Sequence, residues 1–345
     1  MPKEIFFNLI EICTLRQRYS LASTVILFLP FFFFFQIERA VAEPFIFGVT
    51  IDDPWNTPEG QHAEIKDALA SHAVKPTVRI VFDECMYIAD NKCVGSCNEC
   101  GEASEYYDSI SNIKSVAIVM GEILDSAYVK NYSVEQYINR TVEYLNQFED
   151  IVDIWEIGNE VNGSWLGTTA DVVAKIEGAY MEVKGRDLTT ALNLYYNKTC
   201  LYNKPEHEMF AWANANISEE MKNGLDYVFF SYYEDDCGDK IYTQAEWQEV
   251  FDRLHVIFPN AKLGFGEIGT QNSDKKAEQM HRYYELDIKG DYFVGGYFWW
   301  YYKQDCVPKT TELWNTMNSI ILQQKSQAIG WLPAIFHLLS GSSGE

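Results

Sequence analysis

The chain has 345 residues, of which 50 are Asp or Glu against 27 Lys or Arg, giving a net charge of −23 at neutral pH. So large a surplus of acid argues against nucleic acid as a partner, because few cations are available to neutralise phosphates. With 47% apolar and 15% aromatic residues, the sequence can fill one large core, and it shows no internal repeat.

In chain order, the first element reads as an address. Lys3, Arg16 and Arg18 precede an apolar run from Leu21 to Phe35, which is followed by Ala40-Val41-Ala42. This is the pattern of a secretory signal, with the cut expected between Ala42 and Glu43. The alternative is an uncleaved membrane anchor, against which the run is shorter than the roughly 20 residues that span a bilayer. The expected organisation is therefore a signal peptide over 1–42, a single domain over 43–325 and a partly disordered tail over 326–345. The mature protein is expected outside the cell, in the periplasm or at the cell surface, as a monomer with no lasting membrane insertion.

Beyond residue 43, short apolar runs rich in β-formers alternate with longer stretches of helical period, the mark of parallel βα units. Eight strands are expected: Phe45 to Thr50, Thr77 to Phe82, Ser115 to Val119, Ile151 to Ile157, Thr190 to Leu194, Tyr227 to Tyr232, Lys262 to Gly266 and Tyr292 to Trp299. Their apolar character fits strands buried on both faces, and eight of them point to a closed (β/α)8 barrel of the TIM type. Between them, Thr57-Pro58 opens a helix. Capping boxes at Ser133 to Gln136 and Thr243 to Glu246 open two more. Ile138, Val142, Leu145 and Phe148 form one apolar stripe, and Val250, Leu254 and Ile257 another. A short helix is expected around Ser104 to Ile110.

Seven cysteines follow the signal: Cys85, Cys93, Cys97, Cys100, Cys200, Cys237 and Cys306. In an exported chain these read as disulfides with one thiol left over. Cys93, Cys97 and Cys100 sit close together, yet no second ligand pair follows at zinc-binding spacing, so no metal is expected. Asn131, Asn139, Asn162, Asn197 and Asn216 stand in Asn-x-Ser/Thr triplets and are candidate glycan acceptors.

The active site of such a barrel forms at the carboxyl ends of its strands. There the fourth strand ends Trp-Glu-Ile-Gly-Asn159-Glu160 and the seventh ends Gly-Phe-Gly-Glu267-Ile-Gly. A pair of carboxyl groups facing across a barrel mouth is what glycoside hydrolysis requires, one to protonate the leaving oxygen and one to attack the anomeric carbon. Trp155 to Gly163 resembles the Asn-Glu signature of the clan A glycoside hydrolases, and the resemblance extends in order over nearly the whole mature chain. It implies Glu160 as acid/base and Glu267 as nucleophile of a retaining β-glycosidase. Arg79 takes the place of that clan's strand-two arginine beside the nucleophile, although it could equally pair with Glu156. Tyr233 matches the strand-six tyrosine, with Ser231 where a His is common. Trp300 matches the strand-eight tryptophan under the cleaved sugar, and Asn159 the partner of the sugar 2-hydroxyl. Of the neighbours Tyr232/Tyr233 and Trp299/Trp300, strand alternation lets only one of each face the mouth.

The expected partner is a β-linked glycan, with no metal or organic cofactor. A transglycosylase that remodels wall or matrix glycan, and a glycan-binding barrel without catalysis, are the alternatives. Further acids fall at strand ends: Asp52, Asp53, Asp83, Glu84, Glu122, Asp125, Glu234, Asp235 and Asp236. They reflect general acidity, or else a cleft that attracts a cationic or amino-sugar substrate.

Overall fold

Eight parallel strands close on themselves. They are β1 (Ile46–Asp52), β2 (Thr77–Val81), β3 (Ile118–Glu122), β4 (Ile154–Glu156), β5 (Thr190–Tyr195), β6 (Tyr227–Ser231), β7 (Lys262–Glu267) and β8 (Phe293–Trp299). Each pairs with its neighbours in sequence, and β8 pairs with β1, so the barrel has no free edge. The computed structural model describes residues 45–52, 61–82, 88–89, 92–93, 103–200 and 204–324. The expected signal peptide and tail, the helix start at Thr57-Pro58, Asp53, Asp83, Glu84, Cys85, Cys97 and Cys100 lie outside the described residues.

Helices separate the strands: α1 (Gln61–Ala70), α2 (Tyr107–Lys114), α3 (Val134–Phe148), α4 (Thr169–Lys184), α5 (Met209–Asn216), α6 (Glu219–Gly224), α7 (Gln244–Ile257), α8 (Lys276–Tyr284), α9 (Tyr302–Cys306) and α10 (312–324). Both capping boxes form, Ser133 with Gln136 and Thr243 with Glu246. On α3 the buried stripe is Tyr137, Thr141, Tyr144, Leu145 and Phe148. The expected Ile138 lies to one side of it, against α4. A side chain on Gly178 would strike it, with Ile138 Cδ1 only 2.4 Å from where a Cβ would stand.

The third strand begins later than its sequence suggests. Ser115 still belongs to the end of α2, where its N–H bonds the Ser111 carbonyl. The strand therefore runs on to Glu122 and carries that acid into the barrel. The barrel ends are joined through His72, after α1, whose ring stacks on Trp314 of α10 at 4.8 Å and bonds the Tyr302 hydroxyl at 2.8 Å.

Side chains that point into the barrel fall into two layers. Ile46, Met120, Ile154, Ala191, Phe229, Val294 and Phe298 pack together as an apolar plug. Toward the carboxyl ends, Thr50, Arg79, Glu122, Glu156, Asn193 and Ser231 are buried and polar. The plug forces glycine at 48, because a Cβ there would lie 2.4 Å from the Gly296 carbonyl and 2.8 Å from the Phe298 ring. Strand β8 reaches this packing by an irregular path: Gly295, Gly296, Tyr297 and Phe298 all have positive φ, and the register with β1 shifts between Phe47 and Val49. Such a bulge re-aims the side chains that follow it.

Candidate active site

After the short strand β4, the chain turns sharply through Ile157 to Glu160. Glu160 itself holds φ 48, a conformation that non-glycine residues adopt at a cost and that clusters at functional sites. Gly158 allows the turn, since a Cβ there would stand 2.7 Å from both Ile176 and Val161. The Glu160 carboxyl accepts a hydrogen bond from the Ser126 hydroxyl at 2.9 Å, and Ser126 Oγ accepts one from the Trp165 indole at 3.1 Å. Ser231 also hydrogen-bonds Glu160. Burial, and then the negative charge of Glu267, push the Glu160 carboxyl well above the usual carboxylate range.

Glu267 ends β7. The Tyr233 hydroxyl donates to its Oε2 at 2.8 Å, the Asn159 amide to its Oε1 at 2.7 Å, and Arg79 Nη2 stands 2.8 Å from Oε1. Gly266 is required because the Asn193 side chain crosses beneath it, with Oδ1 2.1 Å from where a Cβ would be. Burial raises Glu267 too, but Arg79 and Tyr233 oppose that rise, whereas no cation is among the chief influences on Glu160. The proton of the pair therefore resides on Glu160, and Glu267 is the carboxylate.

Arg79 is the hub. Its Nε and Nη2 bond Glu156 at 2.5 and 2.8 Å, and Nη2 also lies 2.8 Å from Glu122. The alternatives for Arg79 are thus both realised, because one guanidinium reaches the core acid and Glu267 together. Its carbon sits 5.7 Å from the centre of the Trp300 ring. Glu160, Glu267, Asn159, Tyr233, Trp300 and Trp165 all line one cavity of about 380 Å³. All six site residues expected from the sequence thus come together at this mouth.

The structure decides between the adjacent aromatics. Tyr233 faces the cavity, while Tyr232 is buried and its hydroxyl donates to the Lys240 carbonyl at 2.5 Å. Trp300 lines the cavity, while Trp299 is buried with its indole on Asp305 at 2.9 Å. Asn159 is more engaged than expected: besides Glu267, its amide reaches Glu156 at 3.3 Å, and its oxygen accepts the Ser126 N–H at 2.9 Å.

Ser126 and Trp165 are not legible as site residues in the sequence. A loop serine has no signature, and a tryptophan five residues past Glu160 reads equally as core; only its 38% exposure inside the cleft marks it. The acids at strand ends divide. Asp125 and Asp236 reach the cavity beside Lys204 and His207. Glu234 turns away to Arg282, Tyr283 and Gln279, and Asp235 bonds Thr270. Two of the candidate glycan acceptors are corrected. Asn162 and Asn197 are buried, and both donate to the His207 carbonyl, so neither side chain is open to a glycan. Cys200, on the cavity wall, is bonded to Cys237, linking the loops after β5 and β6; Cys306 is a buried free thiol. Among the described residues, no group of three His, Cys, Asp or Glu side chains is arranged to hold a metal ion.

Fold and geometry define a (β/α)8 barrel with two buried glutamates opening into one cavity at the carboxyl ends of its strands. No family model matches the chain, and no curated protein sequence does. Among solved structures it is similar to a β-glucosidase from Thermotoga maritima in complex with noeuromycin (TM-score 0.52, 12% identity, 75% of this chain and 88% of that one). It is similar as well to a glycoside hydrolase family 5 enzyme from Prevotella bryantii (0.51, 12%, 79% and 95%) and to a further β-glucosidase (0.50, 12%, 74% and 88%). At such identities the likeness is one of fold alone, that of the closed (β/α)8 barrel.

Proposed function

We propose that this protein is a retaining glycoside hydrolase acting on β-linked glycans. The observation that carries the reading is the unequal environment of two glutamates in one cavity: Glu267 held by Arg79, Tyr233 and Asn159, and Glu160 bonded only by hydroxyls. Glu267 attacks the anomeric carbon while Glu160 passes its proton to the departing glycosidic oxygen, so that one C–O bond forms as another breaks. The charge that raised Glu160 is then consumed in the glycosyl-enzyme, and Glu160 takes a proton from the water that releases the sugar. Asn159 is placed to turn one amide hydrogen toward the sugar 2-hydroxyl. Trp300, beside Arg79, offers a face to the sugar being cleaved. Trp165, on the Glu160 side, offers one to the leaving group.

The rest of the reading concerns where the protein works. The Cys200–Cys237 bond supports an oxidising compartment, and no helix among the described residues is long and apolar enough to cross a membrane. Export, with removal of residues 1–42 and a monomeric domain over 43–325, fits both.

A panel of β-glucans, mannans, galactans, chitosan and aryl β-glycosides tests the proposal. Glu267→Ala is expected to lose activity on every substrate by on the order of 10⁴-fold or more. Glu160→Ala should lose about 10²–10⁴-fold on glycans, yet spare aryl glycosides with good leaving groups and recover in part with azide. Wild-type rates in Glu267→Ala would end the assignment. Products formed with and without added acceptor sugar separate hydrolysis from transfer.

A further inference from the structure

Three glutamates from different strands share one arginine in the upper layer of the barrel. Arg79 and Glu122 are completely buried, Glu156 is 1% exposed and Glu267 5%. Glu156 takes the bidentate face of the guanidinium. Nη2 then stands 2.8 Å from both Glu122 and Glu267, but it carries only two hydrogens, one of which Glu156 already uses. Glu267 has the Asn159 amide and the Tyr233 hydroxyl as further donors, whereas neither oxygen of Glu122 accepts a hydrogen bond. A fully buried carboxylate without a single donor is among the costliest arrangements a protein interior can hold.

Among the described residues, nothing else facing Glu122 relieves it. Asp125, in the loop after β3, adds negative charge, as do Glu156 and Glu267. From α3, the Tyr137 hydroxyl donates to the Ile157 carbonyl, and the Arg140 guanidinium is spent on the carbonyls of Ile123 and Phe82. Ionising all three glutamates would leave this dry layer with a net charge of minus two, counted over the described residues, around the Arg79 guanidinium.

We infer that Glu122 is held as the neutral acid and serves as an uncharged spacer that leaves Arg79 to Glu156 and Glu267. An ionised Glu122 would draw Nη2 off Glu267 and weaken the grip that keeps that carboxylate charged and aimed. Burial pushes the Glu122 carboxyl well above its ordinary value, against the pull of Arg79. Glu122 is thus a positioning residue for Glu267. That role rests on the proposed glycosidase reading; its protonation does not.

The test compares Glu122→Gln, which replaces a neutral acid by a neutral amide of the same shape, with the wild type. A carboxyl raised in the folded state keeps a proton that the unfolded chain releases. The wild type should therefore lose more stability than the variant as pH rises above the ordinary glutamate range, since the raised Glu160 carboxyl is common to both. The expected result is a melting-temperature difference, variant minus wild type, that grows with pH; a difference that is constant or shrinks overturns the inference. Infrared spectra of glutamate-labelled protein near neutral pH give a second readout that needs no folded Glu122 variant. A protonated-carboxyl band should persist in Glu160→Gln, and its absence there overturns the inference. On the glycosidase assay, the acid limb set by Glu267 should stay in place in Glu122→Gln; a move to lower pH would mean that an ionised Glu122 had been sharing Arg79. If no glycan is cleaved at all, the first two measurements still decide the protonation, so the two readings fail separately.

Discussion

The lower and upper halves of the barrel interior are built on opposite principles. Below, seven apolar side chains meet with no charge among them, and their contribution is set by volume and fit. Above, one arginine is shared by three glutamates, and hydroxyl and amide side chains bridge the remaining contacts. The lower half stabilises and can be repacked. The upper half is costly to bury and is worth keeping only for what it does to Glu160 and Glu267. The plug in effect provides the dry floor on which the charged layer becomes effective, because a charge acts more strongly where water is excluded.

That contrast can be broken most directly in the plug. Phe229→Ala should lose about 3–5 kcal/mol of stability, read by denaturant unfolding, with kcat/KM per folded molecule unchanged. A comparable loss of catalysis in the folded fraction would show the two layers to be coupled.

Acid stability sharpens the comparison from outside the barrel. Burial lowers His72 from 6.5 to about 4, so folding keeps it neutral where the unfolded chain would take a proton. The stability is fully present above 6.5 and drains away as pH falls to about 4, by about 3 kcal/mol in total. His72→Gln should flatten that slope in a melting series. If the slope is unchanged, the acid-labile group lies elsewhere and the acid limb of activity cannot be separated from unfolding in this way.

In the upper layer, Arg79→Gln should cost on the order of 10²-fold in kcat/KM and move the acid limb to higher pH, because the guanidinium is what opposes the rise in Glu267. An acid limb that stays put would place the control of Glu267 with Tyr233. The smallest effect is expected from Ser126→Ala. Losing one hydrogen bond to Glu160 is worth about 1–1.5 kcal/mol, roughly tenfold in rate. Because that bond lowers Glu160, its loss should shift the alkaline limb upward; a downward shift would contradict the geometry.

Much of the fold is legible in the amino-acid sequence by itself. The alternation of apolar runs and helical stripes reports burial on two faces or one, which is a local property, and it locates eight strands and both capping boxes. The Asn159-Glu160 and Glu267 motifs are legible for the same reason, since each is a short stretch at a strand end. The third strand is misplaced by that reading because apolar residues after α2 fit a helix end as well as a strand.

What the tertiary structure decided is everything that depends on where side chains from distant segments meet. Periodicity could not choose Trp300 over Trp299, because the irregular backbone of β8 sets which one turns to the cavity. It could not reveal that Asn162 and Asn197 are spent on the His207 carbonyl, or that Glu122 joins Glu156 and Glu267 around Arg79 from a further strand. Sequence patterns record which residues leave water; only closing the barrel brings their charges close enough to compete for one cation.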